Sequence, residues 1–281
     1  METYRGMDRD ALSEAYNNRA VVPDWEAMMG DWQQRSAALY QRPGWQRDLS
    51  YDPGNPRRRF DLFAGSRPDL PTLLYLHGGY WQWNDKEGQA FVAEGLTAEG
   101  FPVAIGEHSL APEITMTGLA EEMRLLVRGV SRQARVAGRN PGVVLLGMSS
   151  GSHLLALTLS LPEVLGALLI SGAYDLEPVR ISPLNDAIGM SFEEARAHSP
   201  LHQPQAVSKP VVISFGADER PEICRQGADF HAALVAQGYP ARLDPIPDTN
   251  HFTVLETLAA QNGALCRTAT ALALSLAARE N

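Results

Sequence analysis

Hydrophobic positions along the chain fall into two regimes. Before residue 44 they recur at helical spacing, and residues 8–16 and 24–40 read as helices. Pro23 and Asp24 suit the start of the second helix, and Pro43-Gly44 ends it. This stretch carries Trp25, Met28, Met29 and Trp32, so it is expected to cover an apolar surface. From Trp45 the pattern changes. Residues 45–51 and 57–63 read as short strands joined by the turn Asp52-Pro53-Gly54-Asn55-Pro56. Apolar strands then alternate with helices: strands over 72–76, 102–106, 143–146, 167–170, 211–215 and 240–246, and helices over 117–137, from Ser150, over 221–237 and from Phe252. Leu119, Met123, Leu126, Val127 and Val130 form one face of the 117–137 helix.

This order predicts an α/β fold with a mostly parallel, doubly wound sheet. One domain over 1–281 is expected, with a helical arm over 1–44 covering the site and a core over 45–281. In such sheets the chemistry gathers at the carboxyl ends of the strands.

Composition narrows the partners. Apolar residues make up 44% of the chain, enough for a large core, and the formal charge is −9. A chain this acidic is not expected to present the basic face that nucleic acid requires. The opening METYRGMDRD has no apolar run, so no leader peptide is expected, and no span of apolar residues is long enough for a membrane. Cys224 and Cys266 make no disulfide framework and no metal spacing. The expectation is a cytoplasmic protein whose partner is a small-molecule substrate, without metal or cofactor. A homodimer is compatible with the sequence.

The chemistry concentrates at two turns. Val143 to Leu146 runs into Gly147-Met148-Ser149-Ser150-Gly151, a Gly-x-Ser-x-Gly after an apolar strand and before an apolar helix. That is the context of a nucleophile elbow, in which a serine sits on a sharp, strained strand-to-helix turn. Of the serines crowded here, Ser149 alone has glycines at both required offsets; Ser150 is expected to give a backbone N–H. The second turn follows Leu73 to Leu76 as His77-Gly78-Gly79-Tyr80-Trp81. Adjacent glycines let backbone N–H groups approach a developing oxyanion, so Gly78, Gly79 and Ser150 are the expected donors. His77 is expected to fix the loop through hydrogen bonds. Tyr80, Trp81 and Trp83 are candidates for an aromatic substrate wall, against the plainer alternative of packing under the arm.

A general base should follow the last strand, and His251 does, in Asp248-Thr249-Asn250-His251-Phe252. The other histidines lie on helices, connections or after earlier strands. The orienting acid should follow the 211–215 strand, where Asp218 and Glu219 both wait. Spacing alone does not separate them.

Several segments together resemble the kynurenine formamidases (arylformamidases) of the esterase/lipase branch of α/β-hydrolases. These are the HGGYW loop, the elbow with the following Ser152-His153-Leu154, the run Glu219-Arg220-Pro221-Glu222-Ile223-Cys224-Arg225-Gln226, and Asn250-His251-Phe252. Ser109-Leu110-Ala111-Pro112-Glu113 is similar to a run of that branch, and Tyr16-Asn17-Asn18-Arg19 to the arm of bacterial formamidase-like hydrolases. The resemblance implies the α/β-hydrolase fold and a triad of Ser149, Glu219 and His251. In the family's acid-x-Pro-Glu-Phe-x-Arg-Gln pattern the acid falls on Glu219, with Glu in place of the usual Asp and Ile223 in place of Phe. It also implies cleavage of a small acyl group from an aromatic amide or ester, as in N-formylkynurenine. The rivals are a carboxylesterase or aryl-amide hydrolase of other substrates, and a non-catalytic ligand receptor on the same fold, which would usually lose the base.

Overall fold

The computed structural model describes residues 2–203 and 208–280. Eight strands form one sheet: β1 (Trp45–Ser50), β2 (Arg59–Phe63), β3 (Thr72–Leu76), β4 (Val103–Gly106), β5 (Val143–Met148), β6 (Val164–Ile170), β7 (Val211–Gly216) and β8 (Ala241–Ile246). Their spatial order is β1-β2-β4-β3-β5-β6-β7-β8. β1 and β2 pair antiparallel, β2 pairs antiparallel with β4, and every later pairing is parallel. This is the expected α/β-hydrolase sheet.

The central strands are apolar on both faces because helices cover both, which is why they read as continuous hydrophobic runs. Alternate residues serve different cores. Leu74, Leu76, Leu145 and Leu169 face one cluster, with Leu119, Met123 and Leu126 of the helix Met116–Val136. Leu73, Tyr75, Val144 and Leu168 face the other, with the C-terminal helix Ala264–Glu280. Each such side chain, fully buried, contributes about 1.5–3 kcal/mol.

Boundaries move by a few residues from the sequence reading; β6, for example, starts at Val164 rather than 167. The short helices between Lys86 and Ala98, and those over Glu177–Ile181, Asn185–Ile188 and Phe192–Ala197, carry too little periodic pattern to be read. Among the described residues, no helix is long and apolar enough to cross a membrane.

The arm is woven into both cores. Its helices Arg9–Ala15 and Trp25–Tyr40 bury Leu12 in the first cluster and Trp32 and Leu39 in the second. Trp32 stacks on Phe91 with ring centroids 4.7 Å apart, and its indole N–H donates to Glu256 at 2.5 Å. Arg35 bridges Glu94 and Glu256 beside it.

The chain leaves β3 for β4 on one side and returns to β5 on the other. The carboxyl ends of β3 and β5 therefore flank a switch point, where a crevice opens between diverging connections. Both candidate turns lie there.

Candidate active site

The turn after β5 is sharp. Ser149 has φ 54° and ψ −122°, between the strand and the helix Ser150–Ala156. A non-glycine residue in such a conformation costs about 1–3 kcal/mol and persists only when its surroundings enforce it. They do so here: the Ser149 N–H donates to the Ile170 carbonyl at 2.8 Å. A Cβ on Gly151 would stand 2.3 Å from the Leu76 carbonyl oxygen, so only glycine lets the elbow press against β3.

The loop after β3 meets the elbow directly. A Cβ on Gly78 would lie 2.8 Å from Ser149 Cβ. His77 is fully buried behind this contact, with Nδ1 2.8 Å from the Gly78 carbonyl and Nε2 3.0 Å from Glu107. Both ring nitrogens thus face acceptors, which suits the imidazolium. Burial opposes that charge, but the Glu107 carboxylate outweighs burial and raises the His77 pKa. Glu107 in turn falls to about 2: burial would raise it, and the charge and hydrogen bond of His77 more than reverse this. Asn84 also donates to the Gly78 carbonyl, at 3.0 Å. With that carbonyl held from two sides, the trans peptide turns the Gly79 N–H the opposite way. The Ser150 N–H, in the first turn of its helix, has no intrahelical acceptor.

Beyond β7, Asp218 and Glu219 part company. Asp218 is exposed. Glu219 turns inward, where its Oε1 accepts from Ser171 Oγ at 2.5 Å and from the Gly216 N–H at 2.7 Å. Its Oε2 accepts from His251 Nδ1 at 2.6 Å, and its side chain is completely shielded from solvent. Ser171, itself at φ 53°, was not a sequence candidate; a lone Ser-Gly after a strand gives no warning of such a role.

Ser149, Gly78, Gly79 and His251 line one cavity of about 380 Å³. No hydrogen bond joins Ser149 to His251 among the described residues, and such bonds are often long before substrate arrives. Tyr80 and Trp83 also line the cavity, with their rings edge to face at 6.1 Å. Trp81 does not. It is fully buried in the core, and its indole N–H donates to His153 Nδ1 at 3.2 Å. Tyr80 and Trp81 both have positive φ, and this local twist sends Trp81 inward. Expecting Trp81 on the substrate wall is therefore corrected. The arm supplies Tyr16, Asn18, Arg19, Met29 and Trp32 to the cavity wall; of these only Met29 and Trp32 were flagged by hydrophobicity.

With this geometry in place, the relatives become informative. The kynurenine formamidase of Danio rerio is 30% identical over 214 residues, 72% of each chain. That of Salmo salar is 33% identical over 204 residues, 68% of each. The chain belongs to the kynurenine formamidase family. The BD-FAE family profile matches residues 61–164, from β2 through the elbow. Among solved structures, a candidate thioesterase from Silicibacter sp. superposes with a TM-score of 0.82 at 26% identity, over 92% of this chain and 98% of that one. An esterase from Pyrobaculum calidifontis superposes with a TM-score of 0.70 at 17% identity, over 100% of this chain and 96% of that one, and shares the fold. This member of the kynurenine formamidase family is a serine hydrolase acting on small acyl substrates.

Proposed function

We propose that this hydrolase removes a formyl group from the aromatic amine of N-formyl-L-kynurenine or a close analogue, with Ser149 as nucleophile, His251 as base and Glu219 as the orienting acid. The observation that carries the reading is the partly buried Glu219–His251 hydrogen bond of 2.6 Å, on the wall of the cavity that Ser149 lines. Glu219 on Nδ1 leaves Nε2 free to take the Ser149 proton, as a triad requires.

In this reading Ser149 Oγ attacks the formyl carbon as its proton passes to His251. The oxyanion is received by the N–H groups of Gly78, Gly79 and Ser150, each such donor contributing about 2.7–4 kcal/mol to the transition state. The imidazolium returns its proton to the departing aromatic amine. Water, deprotonated by His251, then clears the formyl-enzyme as formate. Tyr80 and Trp83 offer faces to the aromatic leaving group, and the arm closes the mouth. The partner in this reading is the small-molecule substrate, and a homodimer is compatible with it. Cys224 and Cys266 are unpaired, which fits the cytoplasm.

The test is a series of acyl groups. Steady-state kcat/KM on N-formyl-L-kynurenine is compared with p-nitrophenyl acetate and octanoate. A small acyl pocket predicts a steep decline with chain length, each surplus methylene it rejects being worth about 1–3 kcal/mol. Rates that rise toward octanoate, without formamide cleavage, would leave a carboxylesterase in place of this reading.

A further inference from the structure

The cavity wall carries its permanent charge at a single described residue. Arg19, at the end of the arm's first half, is the one Arg, Lys, Asp or Glu among the lining residues. No described carboxylate pairs with it; aromatic rings hold it instead, with its guanidinium 4.2 Å from the centroid of Trp25 and 5.5 Å from that of Trp83. Neighbouring arginines differ: Arg220 is paired with Glu14, Arg35 with Glu94 and Glu256, and Arg57 with Glu107. A guanidinium held by aromatic rings rather than by a carboxylate keeps its N–H donors for a ligand, and a guanidinium can grip a carboxylate in two places.

Its position is fixed by the loop that holds the chemistry. Asn18 Nδ2 donates to the Tyr80 hydroxyl at 3.1 Å, and that hydroxyl donates to the Tyr16 carbonyl at 2.5 Å. The short 3₁₀ turn Asn18–Val21 is thereby tied to the residue that follows Gly79. Trp83 meets Tyr80 edge to face and lies under Arg19, so the guanidinium extends the aromatic wall. The chain as a whole carries a formal charge of −9, which repels an anionic ligand. A local cation offsets that repulsion for a carboxylate, and the described wall holds one, Arg19.

We infer that Arg19 is the specificity residue that binds a carboxylate on the leaving group. The preferred substrates are then acyl derivatives of aromatic amines or phenols whose ring bears an acidic side chain, such as an amino acid. This rests on the Proposed function for the site of acyl transfer and deepens it by naming what recognises the far end of the substrate.

The experiment compares N-formyl-L-kynurenine with its primary carboxamide, in which the carboxylate alone is neutralised, on wild type, Arg19→Gln and Arg19→Lys. Wild type should prefer the acid by about tenfold or more in kcat/KM, mainly through KM, as expected for a charge-assisted bidentate pair. Arg19→Gln should bring the two substrates to near parity, and Arg19→Lys should restore part of the preference. The wild-type preference should also shrink with added salt. Parity already in wild type, or a full preference kept by Arg19→Gln, overturns the inference. If neither formamide is cleaved, the formamidase reading fails by itself. The same ratio is then taken on 3-(4-acetoxyphenyl)propionate and its carboxamide, where a preference lost in Arg19→Gln upholds the carboxylate site and parity in wild type removes it.

Discussion

Glu219 Oε2 accepts a 2.6 Å hydrogen bond from His251 Nδ1, while its other oxygen is held by Ser171 Oγ and the Gly216 N–H. Both carboxylate oxygens are thus fixed, and the imidazole they orient stands at the cavity. Asp218, one residue earlier, lies in solvent. The contrast sets the first prediction: Glu219→Gln should lower kcat by about 10⁴-fold, as when a triad acid is made neutral, and Asp218→Asn should change it little. Steady-state rates on one substrate decide; a larger loss from Asp218→Asn would hand the role to that residue.

Stability should fall with acid in a window set partly by His153. Burial, the largest cause, holds its pKa down to about 3 from an ordinary 6.5, with the hydrogen bond to the His198 carbonyl opposing. Its two nitrogens are already committed in the neutral ring: Nδ1 accepts from Trp81 and Nε2 donates to the His198 carbonyl. Between pH 6.5 and about 3 the unfolded chain takes a proton at this residue and the native chain does not. The stabilisation is therefore complete above pH 6.5 and is lost as pH falls, by about 1.4 kcal/mol per pH unit. His108, held down to about 4 chiefly by burial, acts in the same direction. Denaturant midpoints at pH 6.5 and 4.5 should show a shallower dependence in His153→Gln than in wild type. Parallel profiles would contradict this.

Trp32 should behave as a core residue although it belongs to the arm. It is 3% exposed and stacks on both Phe91 and Phe252. Trp32→Ala should cost about 3–5 kcal/mol, read from chemical denaturation. A cost under 1 kcal/mol would mean that the arm merely rests on the domain. By the same burial, removing residues 1–40 should leave an aggregation-prone chain, because the cores it joins would be opened.

Much of this was legible in the chain. The strand order, both glycine turns and His251 lie in local patterns with strong steric reasons: Gly151 admits nothing larger beside Leu76, and β3 and β5 are apolar because they are covered twice. What was not legible depended on direction. Spacing alone leaves Asp218 and Glu219 equal and only the family pattern favours Glu219; the physical reason, a turn closed by the Glu219 N–H on the Gly216 carbonyl that sends Glu219 inward, has no local signal. Trp81 looked like a wall residue because its neighbours are; two successive positive-φ residues, invisible to hydrophobic pattern, rotate it into the core. Asn18 and Arg19 fall between the two helices that the arm's pattern predicts, in a segment with no periodicity to place it. Their place at the cavity follows from a contact with Tyr80, 62 residues away from Asn18, that no local signal reveals.

The central claim is acyl transfer from a formamide through Ser149. It is tested most directly by measuring formate released from N-formyl-L-kynurenine by wild type and by Ser149→Ala under identical conditions. The account predicts steady turnover by wild type and a fall of at least about 10³-fold in the variant, the residue being whatever the oxyanion donors achieve without a nucleophile. No formate from wild type, or undiminished formate from Ser149→Ala, would contradict it.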